Sequence, residues 1–149
     1  MEIENGYLLS EKTGKILKAF YDVYNELGYG FLESVYKNAL YLDLSKQGLD
    51  CVMERGLTVF YKGSSVGTFF ADIVVDNSVI IEVKAAKTLV PQHEAQLVNY
   101  LRATEIEVGL LLNFGPEPQQ RRIIFTNDRK KSQKIIPTPK SNPYNNKKI

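Results

Sequence analysis

Three polar side chains interrupt two strands that are otherwise apolar, and their types suit hydrolytic or metal chemistry. Asp72 lies in GTFFADIVVD (residues 67–76), and Glu82 and Lys84 lie in VIIEVKAA (residues 79–86). Because successive side chains of a strand point to opposite faces, Glu82 and Lys84 project side by side. Burying two carboxylates and an amine in a sheet costs several kcal/mol per ion unless they are paired or bind a metal ion. The pattern indicates either an ion pair at a sheet edge or a metal-dependent active site.

A tight turn at residues 76–78 connects these two strands as a hairpin. Asp72 lies four residues before Asp76, and Glu82 lies six residues after it. We therefore expect Asp72 and Glu82 to lie near each other across the hairpin, although the spacing leaves the register open.

Two predicted helices carry further candidates, each with a simpler alternative. Glu33 lies in the first turn of a helix, where a negative charge also stabilises the helix N-terminus. Gln96 lies in a later helix with Tyr100 four residues on, on the same face. The alternatives are a solvated Gln96 and a core Tyr100. His93 could face the same site, but the sequence favours a polar residue at the helix N-terminus.

The elements that must position these residues alternate between helical and strand periodicity. The sequence predicts helices over 11–27, 31–47 and 91–103, and strands over 51–61, 67–76, 79–86, 108–114 and 121–126. Ser10 is the expected N-cap of the first helix, and Gly56 is expected to mark a bulge in the first strand. Two hairpins and one helical crossover predict a mixed central sheet flanked by helices, in an α/β (α+β) fold.

Length and composition fit one globular domain followed by a basic segment. The 149 residues are 44% apolar and 24% charged, which argues against a disordered or collagen-like chain. Residues 1–127 carry 12 basic and 16 acidic side chains, whereas residues 128–149 carry seven basic side chains and one acidic one. We expect a domain over 1–127 and a flexible tail over 128–149, which either aids solubility or binds DNA as an arm.

The cysteine content and the length of the apolar stretches indicate the cellular compartment. The chain has one cysteine, Cys51, so an internal disulfide is excluded and a reducing cytoplasm is the expected location. Its apolar stretches are too short for a membrane helix, and we expect no secretory leader.

Several short motifs follow one another along the chain in a specific order. They are GFLESVY at 30–36, Asp72, Glu82-Val83-Lys84, HEAQLVNYLR at 93–102 and VGLLLNFG at 108–115. In this combination, over residues 11–127, the chain resembles the GxxExxY proteins, a small prokaryotic family within the PD-(D/E)XK nuclease-like superfamily. Ala71 stands where the proline of the superfamily's name would be, a position that varies widely.

The resemblance implies a restriction-endonuclease-like core and a metal-dependent nuclease. Asp72 and Glu82 would be ligands of a divalent ion, with the backbone carbonyl of Val83 adding a third oxygen. Glu33 would reach in as a further acidic ligand, and Lys84 would orient or activate the attacking water and stabilise transition-state charge. Mg²⁺ is the expected metal, with Mn²⁺ as a substitute, because hard oxygen ligands suit both.

The resemblance also implies roles in handling the substrate. Gln96 and Tyr100 would position the site or contact the strand, and Tyr36 would be a second nucleic-acid contact. The implied partner is nucleic acid, DNA in the first place, with no membrane involved. A homodimer is a reasonable expectation for an enzyme that cuts two strands.

Two other functions stay open at this point. The acidic body favours a non-catalytic nucleic-acid-binding or assembly module that keeps the fold, because a nuclease usually presents a basic groove to phosphates. A structural oligomer with an interface ion-pair network is the third. That third function would be favoured if the side chains of Asp72, Glu82 and Lys84 faced away from each other.

Overall fold

The structure is a computed structural model that describes residues 3–4 and 7–130. Its helices are α1 (Ser10–Leu27), α2 (Glu33–Lys46) and α3 (Pro91–Arg102), and its strands are β1 (Ile3–Glu4), β2 (Tyr7–Leu8), β3 (Cys51–Tyr61), β4 (Ser64–Val75), β5 (Val79–Lys84), β6 (Val108–Phe114) and β7 (Pro118–Ile124). None of the described helices has the length and apolar character needed to cross a membrane.

The main sheet has five strands in the order β3-β4-β5-β6-β7. The pairs β3–β4, β4–β5 and β6–β7 are antiparallel, and β5–β6 is parallel because α3 crosses over between them. Together with the flanking helices this confirms the predicted α+β architecture.

Strands β5 and β6 of the sheet are covered on both faces. One apolar cluster joins α1 and α2 to the sheet through side chains such as Phe20 and Ile81. A second cluster joins α3 to the opposite face through Leu97 and Ile80. All seven residues of β6 are buried, as its continuous apolar run predicts. Burial on both faces fixes β5, and with it Glu82 and Lys84, in the middle of the molecule.

Two local expectations are wrong. Ser10 is not the N-cap of α1, because its backbone is already helical and Leu9, in a left-handed conformation, precedes it. Gly56 does not mark a bulge, because the β3–β4 register stays constant from Cys51 to Val59 and pairs Gly56 with Phe70. The register shifts instead between Val59 and Phe60.

A packed turn follows β7 at the end of the described residues. Residues Asn127–Arg129 form a short 3-10 turn. Lys130 is buried, and its ammonium donates to the carbonyl oxygens of Thr104 and Ile106 at 2.8 and 2.9 Å. The packed chain therefore reaches Lys130, and the rest of the predicted tail, 131–149, lies outside the described residues.

Candidate active site

Asp72 and Glu82 lie where β4 and β5 stop pairing. The backbone ladder ends at Ile73 opposite Ile81, so Asp72 and Glu82 would form the next pair. Instead, the Asp72 N–H donates to Glu82 Oε2 at 3.2 Å, and the Val83 N–H donates to Asp72 Oδ2 at 2.8 Å. Two side chains thus replace the ladder hydrogen bonds, and both carboxylates are drawn into the gap between the strands.

Burial and mutual repulsion make it costly to ionise both carboxylates. Glu82 is only 7% exposed. Burial, followed by the charge of Asp72, raises the pKa of Glu82 to about 8, although the Asp72 N–H and the ammonium groups of Lys84 and Lys37 oppose the rise. Burial also raises the pKa of Asp72 above its ordinary value, against the Val83 N–H and Lys37. The pair therefore favours a bound cation or proton.

Lys37 and Glu54 are the site residues that sequence reasoning missed. The Lys37 ammonium lies 3.6 Å from Asp72 Oδ1 and also donates to Glu54 Oε2. Burial lowers the pKa of Lys37, but the hydrogen bond to Glu54 and the charges of Asp72 and Glu54 outweigh it, so the pKa is raised. Lys37 follows Glu33 by one helical turn, and this i,i+4 spacing is the signal that could have revealed it.

Glu33 and Lys84 lie within electrostatic reach of the carboxylate pair. Glu33 begins α2 and is exposed, and its negative charge contributes to the raised pKa of Asp72. Lys84 ends β5, is partly buried, and its positive charge lowers the pKa of Glu82. Both predicted residues therefore lie around the same pair.

Tyr100 approaches the carboxylate pair from α3, which packs on the face of the sheet opposite to α1 and α2. Burial, followed by the charges of Glu82 and Asp72, raises the pKa of Tyr100 to about 12, and a hydrogen bond with Gln96 opposes this. The Tyr100 ring stacks on Phe69, with centroids 3.7 Å apart. The Gln96–Tyr100 pair on one face of α3 is therefore where the sequence predicts it.

His93 stabilises the start of α3. Its ring Nδ1 accepts the Val90 N–H at 3.2 Å, and the backbone N–H of His93 donates to the Val90 carbonyl at 2.9 Å. This is the role of a polar residue at a helix N-terminus, which the sequence favours.

Tyr36 belongs to the core, so the predicted contact with nucleic acid does not fit its position. The side chain is 0% exposed and its ring stacks on Phe114 with centroids 4.3 Å apart. Its hydroxyl donates to the Gly28 carbonyl at 2.6 Å and accepts the Phe31 N–H at 3.2 Å. Tyr36 thus holds the loop before α2, and through it the start of the helix that carries Glu33 and Lys37.

Asn113 plays a similar part behind Lys84, which it faces across the parallel β5–β6 pair. Its side chain is fully buried and binds both backbone groups of Ala86, accepting the N–H at 2.8 Å and donating to the carbonyl at 3.0 Å. A Cβ on neighbouring Gly115 would lie 2.3 Å from the Ala86 carbonyl oxygen, so only glycine fits there. Asn113 and Gly115 thus fix the segment that follows β5, the strand that carries Glu82 and Lys84.

A family model for the PD-(D/E)XK nuclease superfamily matches residues 10–123. The chain belongs to the PD-(D/E)XK nuclease superfamily. The match covers the helices, hairpin and crossover that surround Asp72 and Glu82, whereas the finer resemblance to the GxxExxY proteins stays a prediction.

The other comparisons add little to this family assignment. No curated protein matches the chain. A solved structure titled "Crystal structure of SSO0001" is similar with 21% identity and a TM-score of 0.49, over 79% of this chain and 59% of that one. The chain thus spans about three fifths of that protein.

Nucleases of this superfamily usually use divalent metals, and the available donor atoms decide whether such an ion fits this chain. In residues 3–4 and 7–130, no three His, Cys, Asp or Glu side chains lie close enough together to form a metal site. The convergent oxygens come instead from Asp72 and Glu82, each with one oxygen bound to a peptide N–H. Two carboxylates of raised pKa, Glu82 buried and Asp72 partly buried, fit a hard divalent ion that keeps several waters, as Mg²⁺ does.

Proposed function

We propose that the protein is a metal-dependent nuclease that hydrolyses phosphodiester bonds of nucleic acid, with DNA as the first substrate to test. The observation that supports it best is the convergence of Asp72 and Glu82 in the gap between β4 and β5. A structural oligomer with an interface ion-pair network is disfavoured, because Asp72 and Glu82 each bind the other's strand and both have raised pKa values.

In this proposal Asp72 and Glu82 hold Mg²⁺, for which Mn²⁺ can substitute, and Glu33 and the Val83 carbonyl are the predicted additional ligands. When bound, the metal supplies a Lewis acid that polarises the scissile phosphate. Lys84 places a positive charge beside Glu82, where it stabilises negative charge that develops on the phosphoryl oxygens.

Other residues hold this arrangement in place. Lys37 ties Asp72 to Glu54, so it orients one ligand and limits the repulsion between the two carboxylates. Tyr100 approaches the carboxylates from α3 and is hydrogen-bonded to Gln96, and this pair is the predicted contact for the scissile strand. The homodimer and the cytoplasmic location stay predictions.

The test is cleavage of plasmid DNA and labelled single strands, with Mg²⁺, Mn²⁺ or EDTA. We expect cleavage that EDTA abolishes, and losses of about 100-fold or more in Asp72→Asn and Lys84→Ala. The matched controls are Asp22→Asn and Lys46→Ala on the exposed faces of α1 and α2. Equal cleavage by the site variants and the parent would contradict the assignment.

A non-catalytic nucleic-acid-binding module is the second candidate, because no third carboxylate joins Asp72 and Glu82 among the described residues. Calorimetric titration with Mg²⁺ and Mn²⁺ separates the two functions. A nuclease should bind the metal in a way that Asp72→Asn abolishes, whereas a module without catalysis should bind nucleic acid with no such metal dependence.

A further inference from the structure

A cavity of about 860 Å³ opens beside the candidate active site. It lies between the C-terminal end of β3, the N-terminal half of β4, helix α3 and the turn at Asn127–Arg129. Its volume lies within the range of pockets that enclose a small organic ligand. The roles assigned to Asp72, Glu82 and Lys84 do not use it.

The cavity is lined by aromatic rings and positive charges. Its aromatic residues are Phe60, Phe69, Tyr100 and Phe125, and its arginines are Arg102 and Arg129. Among the described residues that line it, none is Asp or Glu. The positive charge of the cavity contrasts with residues 1–127 as a whole, where acidic side chains outnumber basic ones.

The two arginines are arranged around one ring. Their guanidinium carbons lie 5.5 Å (Arg102) and 4.6 Å (Arg129) from the centroid of Phe125. Both side chains are exposed, and within the described chain neither guanidinium is in ion-pair distance of a carboxylate. Lys130 differs, because its ammonium is already bound to two carbonyl oxygens. Arg102 and Arg129 are thus the groups that can bind an anion here.

The stacked pair of Phe69 and Tyr100 joins the cavity to the active site. The two rings are nearly parallel, at 8°, and both line the cavity. Tyr100 also lies within electrostatic reach of Glu82 and Asp72, whose charges add to burial in raising its pKa. A strand lying across the carboxylate pair can therefore extend into the cavity.

We infer that this cavity binds an unpaired nucleotide of the substrate strand, its base against the aromatic side chains and its phosphate at Arg102 and Arg129. Every base has a face that stacks on aromatic rings, and guanidinium groups bind phosphate in forked geometry. A base pair within a duplex exposes only its edges, so the cavity selects single-stranded or locally unpaired substrate. The inference rests on the proposed function, since it assigns the substrate class of the same site.

Binding in EDTA tests the cavity without any cleavage. The probe is a fluorescein-labelled oligothymidylate of about 15 nucleotides, compared with the duplex of the same length. We expect the double variant Arg102→Gln/Arg129→Gln, and separately Phe125→Leu, to weaken single-strand binding by about tenfold. Duplex binding should change by less than about twofold, as should both affinities in the matched control Arg121→Gln. Equal weakening for single strand and duplex would overturn the inference.

Crosslinking locates the bound strand. An oligothymidylate with one 5-iodouracil, irradiated in complex with the full chain, should attach to peptides that contain Phe60, Phe69 or Phe125. Attachment only to the exposed loop around Tyr29 and Phe31 would contradict the inference. If the chain's own segment 131–149 fills the cavity, the crosslink will appear only after that segment is deleted, which also overturns it.

The two proposals can fail separately. If the protein cleaves DNA, but the Arg102/Arg129 variant binds single strands with the same affinity as the parent, the nuclease function stands and the cavity assignment fails. A protein that never cleaves but crosslinks through the cavity keeps the nucleotide site and loses the catalytic one.

Discussion

Glu82 accepts the peptide N–H of Asp72, and Asp72 accepts the peptide N–H that follows Glu82. Each carboxylate is thereby held by a peptide N–H of the opposite strand. This reciprocal arrangement brings two carboxylates together, with Glu82 buried and Asp72 partly buried. The metal-free protein therefore carries an electrostatic cost that a cation or a proton removes.

That cost predicts how stability depends on pH. Glu82 has an ordinary pKa of 4.5 and a folded-state pKa of about 8. Between these values the folded state binds more protons than the unfolded state, so the free energy of unfolding falls as pH rises. We expect Glu82→Gln to stabilise the metal-free protein by about 2–4 kcal/mol near pH 9 and by little near pH 5. Urea unfolding in EDTA at both pH values measures this.

The control for Glu82→Gln is Glu26→Gln on the exposed face of α1. That variant should leave stability unchanged at both pH values. Adding Mg²⁺ at high pH should raise the melting temperature of the parent but not of Glu82→Gln. A stability difference that is the same at both pH values would contradict the assigned cause.

Lys37 offers a second test, through its contact with Asp72 and Glu54. In Lys37→Gln the opposing positive charge is lost, so the pKa of Asp72 should rise further. We also expect destabilisation of about 1–2 kcal/mol, because the Lys37 side chain is only 15% exposed. A ¹³C NMR titration of the Asp72 carboxyl follows the first effect, and urea unfolding measures the second.

The comparison variant is Lys18→Gln, which breaks the exposed Lys18–Asp22 pair one helical turn apart on α1. Its effect on stability should be much smaller than that of Lys37→Gln, because solvent screens exposed i,i+4 pairs. Equal effects of the two substitutions would mean that Lys37 is only another surface lysine.

The sequence predicts the order of the elements because hydrophobic periodicity survives in helices and strands of this length. It also predicts which residues surround the site, since Asp72, Glu82 and Lys84 break an apolar pattern. It does not predict Lys37, whose partners Glu54 and Asp72 are 17 and 35 residues further along the chain. It misplaces Tyr36 because the motif spacing gives the helix position of the ring but not what packs against it.

The core position of Tyr36 predicts a structural phenotype. Tyr36→Phe keeps the stack on Phe114 but leaves the Gly28 carbonyl and the Phe31 N–H without their partner. The expected loss is about 1 kcal/mol, the net contribution of a typical hydrogen bond, because these backbone groups are only partly buried. Thermal unfolding gives this value, and Tyr61→Phe, at a 60% exposed side chain, is the control. A nucleic-acid affinity that fell while stability stayed constant would restore the contact role.

Asn113 predicts a defect that combines stability with local order. In Asn113→Leu the side chain keeps a similar branched shape, but the N–H and carbonyl of Ala86 lose their partner and the Oε1 of Gln119 keeps only the Leu89 N–H. We expect a cost of about 2–4 kcal/mol and faster hydrogen exchange at Ala86 and Leu89, in the segment that leaves β5. Asn25→Leu, on the exposed face of α1, should change neither quantity. Unchanged exchange at Ala86 in Asn113→Leu would mean that the segment after Lys84 is held by other contacts.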